Sequence, residues 1–284
     1  MPRIFCFLLF LSAPACSQSL LWEVSGNGLK QPSYLFGTYH ILKDSYLDKN
    51  LNIKSAYEKS EGVVVETVVD SSAMLSVMMR GMMLDNSLQK LISEADYKLV
   101  ADEFQRATGY NIALFNQMKP VVTATMLSLA EVEKEGDTLS TFTGQPIDLF
   151  LASDGKRRGK SVTPLETMEE QMTFLYDHDP VQKQADQLVQ MVKEKDKTKR
   201  SAQTLTQLYL KQDLAGMYKL SQEYSSNFGD VAYLVDERNL TWMKRLPGLL
   251  ATRPTFVAVG ALHLPGPNGL IELLRKAGYT VKPK

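Results

Sequence analysis

The sequence predicts a mixed α/β fold, with a central sheet built from two βα units at the chain ends and a large helical middle section between them. Three observations predict it. An apolar run followed by Gly-x-x-His occurs twice, as "SYLFGTYH" with Gly37 and His40, and as "TFVAVGALH" with Gly260 and His263. After the first copy comes a stretch of helical spacing and then the β-branched run "GVVVE", ending at Glu66; after the second come "NGLIELLRKAG" and "YTVK". Between the two, most of residues 71–141 and 167–245 read as helical from their apolar spacing.

Taken in order, residues 22–24 and 33–36 flank the turn cluster "SGNGLKQPS" and read as a hairpin. "LDKNLNIKSAYEKS" predicts one helix and "GVVVE" a buried strand, together a βαβ unit with the strand before His40. Ser93 with Asp96 resembles a capping box, Gly109 is a natural helix stop, and Pro120 suits the first turn of another helix. "PIDLFLASDG" reads as a helix and "KSVTPLE" as a strand ending at Glu166. The polar segment 182–206 lies within the second helical stretch, and strand, His loop, helix and strand close the chain.

The 284 residues suffice for one sizeable core, and 44% hydrophobic with 23% charged residues is ordinary for a globular chain. Lys+Arg and Asp+Glu are both 32, so no net field points to nucleic acid or an anionic membrane. The N-terminus "MPRIFCFLLFLSAPACSQS" has the order of a secretory signal peptide, assigned to residues 1–17, with an apolar run too short to span a bilayer. A single domain is expected over 18–284, exported to the periplasm or secreted. Lipidation at Cys16 is disfavoured by a poor lipobox around Pro14. With Cys6 inside the leader, the mature chain keeps at most one cysteine, which leaves no internal disulfide and no Cys-ligated metal site. No later stretch is long and apolar enough to cross a membrane.

Two of the three histidines, His40 and His263, share one local setting at predicted strand ends, where open α/β sheets carry their ligands. Glu66 and Glu166 also end predicted strands, and a carboxylate emerging from a buried run is costly unless it is paired or bound. Asp148 is a weaker candidate because Asp is common near helix starts. His178 in "YDHDP" reads as surface. Arg238, beside Asp236 and Glu237, reads from position alone as a surface ion pair, although a guanidinium could also orient a carboxylate or stabilise an oxyanion. Met74, Met78 and Met82 share one helix face, either as adaptable packing or as an apolar lip for a ligand. Gly-x-Ser-x-Gly, His-Glu-x-x-His, P-loop and Gly-x-Gly-x-x-Gly motifs are all missing, which disfavours serine-triad hydrolases, zincins and nucleotide binders.

On "YLFGTYH", "VVVET", "GQPIDLFLASDGKRRGKSVTPLET", "DERNLTWMKRL" and "FVAVGALHLPGPNGLIELLRKAGYTV", the chain resembles the TraB/GumN family. That family is related to the Tiki metalloproteases and, more distantly, to the erythromycin esterase and ChaN-like group. The resemblance implies an erythromycin esterase/ChaN/Tiki-like sheet. It also implies a divalent ion (Mn, Co or Zn) held by His40, His263 and Glu66, and hydrolysis of a peptide or protein substrate. Glu166 matches the family's "LET", and Arg238 with Asn239 its "RN". Glu66 or Glu166 would be the general base, with Arg238 steadying a carboxylate or the oxyanion. Two alternatives stay open on the same fold: a non-catalytic metal or haem carrier, and a metal-independent esterase with His40 as base.

Overall fold

A computed structural model describes residues 19–69, 71–134, 139–228 and 233–284. The expected signal segment, with Cys6 and Cys16, lies outside the described residues. Six strands form one mixed sheet: β1 (Leu21–Gly26), β2 (Ser33–Thr38), β3 (Gly62–Val65), β4 (Ser161–Pro164), β5 (Thr255–Gly260) and β6 (Tyr279–Pro283), in the order β4-β3-β5-β2-β1-β6. The hairpin β1–β2 is antiparallel with Trp22 opposite Leu35, and β6 pairs antiparallel with the outer side of β1. The four strands β4, β3, β5 and β2 run parallel.

The mixed α/β expectation holds, with one difference in topology. β2 and β3 are parallel, as a βαβ unit requires, but they are not neighbours, because β5 from the far end of the chain lies between them. Val63, Val64, Phe256, Val257, Ala258 and Val259 are all buried, which fits strands covered on both faces by helices. This double coverage explains why "VVV" and "FVAV" are continuous apolar runs rather than alternating ones.

The helix expected across residues 47–60 is two helices, Tyr46–Lys49 and Leu51–Lys59. Asn50 leaves helical geometry at φ −125° and ψ 72°, and its Nδ2 donates to the Tyr46 carbonyl at 2.8 Å. An asparagine side chain competes for backbone groups in this way. Ser93 caps helix Glu94–Thr108 by accepting from the Asp96 N–H, and Gly109 ends it at φ 78°. That helix packs with Pro120–Lys134 and Val181–Lys193 in a second apolar cluster around Val100, Phe104, Leu127 and Leu188. The methionine face is not core: Met74 and Met78, on helix Met74–Arg80, are each 51% exposed, and the helix ends before Met82, which instead pairs with Met118 in an isolated bridge.

Asp154, on helix Ile147–Arg157 beneath the sheet, is buried and accepts hydrogen bonds from Tyr57 Oη (2.8 Å), Arg158 Nε (2.6 Å) and Arg157. Burial alone would raise its pKa, but the bonds from Arg157, Tyr57 and Arg158 outweigh that and hold it below the usual value. A depressed folded-state pKa gives stability that is present above the unfolded value, near ~3.9, and lost as pH falls through the folded one. Asp154→Asn is therefore expected to cost about 2–3 kcal/mol at pH 7 and less near pH 3, where the loss has begun. Urea melts of both proteins at the two pH values check this; an equal cost at both would show that the charge is not what stabilises.

Candidate functional site

The carboxyl ends of the four parallel strands lie side by side, and each leads into one candidate residue. Glu66 directly follows β3, and Glu166 lies two residues beyond β4. The N–H of Glu166 donates to the Glu66 carbonyl at 3.0 Å, so the ladder's last bond sets the two glutamates next to each other. His40 lies two residues past β2, and His263 ends the 3-10 turn that follows β5. Because β5 pairs with β2, with Thr38 opposite Gly260, the two Gly-x-x-His motifs are spatial neighbours although they are far apart in sequence.

Both motif glycines have a steric reason. A Cβ on Gly37 would sit 2.9 Å from the Ala261 Cα and 3.0 Å from Leu264 Cδ1, inside the second motif's turn. A Cβ on Gly260 would lie 3.2 Å from Glu66 Oε1 and 3.6 Å from both His40 Nε2 and His263 Cδ2. Three of the four candidate side chains therefore converge on the face of Gly260. The Gly260 N–H also donates to Glu66 Oε1 at 2.7 Å.

Arg238 is 6% exposed, which corrects its reading as a surface ion pair. A π-helical turn, Tyr233–Glu237, precedes it and turns its side chain inward; its Nη1 donates to the Leu234 carbonyl at 3.3 Å. Nη2 reaches Glu66 Oε2 at 2.5 Å and Glu166 Oε1 at 2.6 Å, Nε is 3.2 Å from both Glu166 oxygens, and Nη1 approaches His263 Nε2 at 3.2 Å. These contacts use every N–H of the guanidinium, so none is left to receive a developing oxyanion. Glu166 is fully engaged as well, since Trp242 Nε1 donates to its Oε2 at 2.9 Å. Burial would raise the Glu66 pKa, but His263, which is protonated only in that acidic range, with Arg238, His40 and the Gly260 N–H, outweighs this and lowers it to about 2.

The two imidazoles are oriented alike and charged differently. His263 Nδ1 is 2.8 Å from Asn239 Oδ1, and Asn239 Nδ2 donates to the carbonyls of His263 (3.1 Å) and Asn268 (2.8 Å). The amide oxygen can only accept, so Nδ1 carries the proton and Nε2 presents a lone pair. Burial, with Arg238 and His40 adding to it against the pull of Glu66, lowers the His263 pKa to about 3, so the ring is neutral at physiological pH. His40 Nδ1 is 2.9 Å from Asp148 Oδ2, and Thr38 Oγ1 donates to Asp148 Oδ1 at 2.5 Å. Desolvation works against protonation of His40, but the Asp148 hydrogen bond and charge, with Glu66, raise its pKa to about 9. The His40 side chain is 64% exposed, so it is the solvent-facing member of the group.

The structure thus brings together His40, His263, Glu66, Glu166, Arg238 and Asn239. His178 takes no part and stacks on Tyr233. Asp148 proves to be His40's partner, and Trp242 joins the group without a motif of its own. Trp242 lies one helical turn after Arg238 on helix Arg238–Trp242, 4.4 Å from the His263 ring and 4.7 Å from the Arg238 Cζ by ring centroid. The i, i+1, i+4 spacing of Arg238, Asn239 and Trp242 is the one sequence signal that marks them as a shared face.

Among the described residues, no group of three or more His, Cys, Asp or Glu is placed so that it could hold a metal ion as it stands. The donor set could hold a divalent ion once His40 gives up the proton that its raised pKa keeps on it, since a ligating imidazole is neutral. Each imidazole is tied through Nδ1 to an oxygen, the arrangement that orients metal-ligating histidines. His263 Nε2 and Glu66 Oε1 are 3.8 Å apart, and the long Arg238 Nη1 approach is the contact an ion at Nε2 would displace.

A search of curated proteins and a search of solved structures each found no match to the chain. A profile of the TraB/PrgY/gumN family matches residues 20–283, from the start of β1 to the end of β6. The match spans both Gly-x-x-His motifs, both glutamates and Arg238, and the chain belongs to the TraB/PrgY/gumN family.

Proposed function

We propose that the protein is a hydrolase of acyl bonds, most readily a peptidase, in which His40 Nε2, His263 Nε2 and Glu66 Oε1 hold a divalent ion such as Mn, Co or Zn. The observation that carries this reading is the matched tethering of the two imidazoles, Nδ1 to Asp148 and Nδ1 to Asn239, with His40 Nε2 and the His263 ring gathered over Gly260 beside Glu66. When bound, such an ion supplies Lewis acidity and lowers the pKa of a water.

The chain's own residues would do the rest. Asp148 fixes the His40 ring, and Asn239 fixes both the His263 ring and the loop behind it. Of the two candidate bases, Glu166 is enclosed by Arg238 and Trp242, and Glu66, engaged by Arg238 and the Gly260 N–H and with its pKa held at about 2, serves as a ligand rather than as a base. Arg238 is a positioning residue that holds Glu66 ionised and aimed at Gly260's face. Export with removal of residues 1–17 is part of the proposal; an intact mass that includes them after secretion would refute it. No helix among the described residues is long and apolar enough to cross a membrane.

A second reading has one observation in its favour. Arg238 already neutralises both glutamates, which leaves the exposed His40–Asp148 pair as a metal-free proton carrier for ester hydrolysis. Chelation followed by re-addition of Mn, Co or Zn, with a peptide library and a model ester as substrates, separates the two. The expected result is loss of hydrolysis on chelation and recovery on reloading. Activity that survives chelation would replace this reading with the second one. Stoichiometric metal uptake without turnover would indicate a carrier.

A further inference from the structure

A cavity of about 650 Å³ lies among the helices of the middle section, and two of its lining residues, Leu234 and Leu262, adjoin residues of the candidate site. Its apolar wall includes Leu127, Val192, Leu205, Leu220, Leu234 and Leu262. Leu262 immediately precedes His263, and the carbonyl of Leu234 receives Arg238 Nη1. Helix Lys195–Leu210 supplies Ala202 and Leu205 to the wall, and its Thr206 hydroxyl meets Tyr39 Oη, next to His40, at 3.1 Å. The cavity therefore abuts Arg238 and the second histidine motif, and one of its helices reaches the first.

We propose that this cavity is the acyl-chain subsite of the same centre, and that the substrate is an ester or amide of a long unbranched acyl chain. This rests on the hydrolase reading above and replaces its peptide substrate with an acylated one. Two features select an alkyl chain over a peptide. The volume suits a drug-sized ligand, ~300–1,000 Å³, rather than one amino-acid side chain. A peptide would also bring an N–H and a C=O with every residue, each needing a partner. Most of the polar groups on the wall are already engaged, Arg106 with Glu103 and Glu131, Lys195 with Glu103, and the Ser128 and Ser221 hydroxyls with the carbonyls of Ala124 and Tyr218, which leaves Asp196 and Ser201 as polar points on an otherwise apolar surface. Thr198 Oγ1, also on the wall, is buried without a hydrogen-bond partner and could serve one polar atom, not a peptide backbone. An alkyl chain asks for none.

In the reaction one water is consumed. Its oxygen bonds to the acyl carbonyl carbon, the C–O or C–N bond to the leaving group breaks, and a proton passes to the departing alcohol or amine. A free carboxylate and an alcohol or amine result, with no redox partner required.

The test has two arms. Wild-type protein in chelator is titrated with cis-parinaric acid, a fluorescent fatty acid that cannot be hydrolysed. Metal-loaded protein is then assayed on p-nitrophenyl esters from acetate to palmitate. Saturable one-to-one binding is expected, with kcat/KM rising up to about fourfold per added methylene until the cavity is full. Ala202→Trp, which places an indole in the cavity, should weaken the probe at least tenfold and shorten the preferred chain; Lys98→Ala, on an exposed helix face elsewhere, should change neither. No saturable binding by the wild type, or a flat chain-length profile, overturns the proposal. Probe binding without hydrolysis of any ester overturns the hydrolase reading and leaves the acyl site standing.

Discussion

Replacing Arg238 with alanine is expected to lower stability by about 3–5 kcal/mol, a fall in Tm of roughly 6–20 °C. The cost arises because Glu66 and Glu166, 7% and 2% exposed, would be left as buried charges without their cation. Arg238→Lys should recover only part of the loss, because an ammonium cannot reproduce the fork that reaches both carboxylates. A buried charged triad is a poor way to stabilise a fold, since well-packed apolar residues of similar volume often do as well or better. The triple variant Glu66→Leu/Glu166→Leu/Arg238→Met should therefore regain much of the stability of Arg238→Ala while abolishing hydrolysis. A stability loss below about 1 kcal/mol in Arg238→Ala would mean that the glutamates are effectively solvated, and thermal melts decide it.

His40→Ala should show the opposite pattern. With its side chain 64% exposed, it is expected to change stability by no more than about 0.5 kcal/mol. Its Nε2 nevertheless lies over Gly260 beside Glu66 Oε1, and turnover should fall by about 10²–10⁴-fold. Asp148→Asn keeps the ring but loses the charge that orients it, and a loss of about 10–100-fold is expected. Steady-state kinetics beside thermal melts check both. A His40→Ala protein with full activity would remove the first motif from the chemistry.

Much of the site's frame was legible because strand-end positions carry their own local signals. Runs such as "VVV" and "FVAV" mark doubly covered strands, so the residues that close them, Glu66 and the Gly260 turn, could be placed at a sheet edge from sequence. Gly-x-x-His was legible as a repeated pattern, and the close approaches at Gly37 and Gly260 now give it a steric cause. The insertion of β5 between β2 and β3 was not legible, because strand order depends on long-range packing that leaves no trace in local periodicity. Arg238 misled for a similar reason: Asp236 and Glu237 beside it suggested surface, while the π-helical turn rotates it inward. Trp242 looks like any aromatic core residue, and Asp148 like any first-turn acid, until the fold sets them against Glu166 and His40. The cavity behind Leu262 belongs to no motif and emerges only from the packing of the middle helices.

The most direct test of the central claim, that the paired motifs and Glu66 form one ion-holding centre, is elemental analysis of purified protein beside the His40→Ala/His263→Ala double variant. The account predicts about one equivalent of Mn, Co or Zn per wild-type chain after reloading and almost none in the variant. Equal metal in both proteins, or no metal in either, would contradict it.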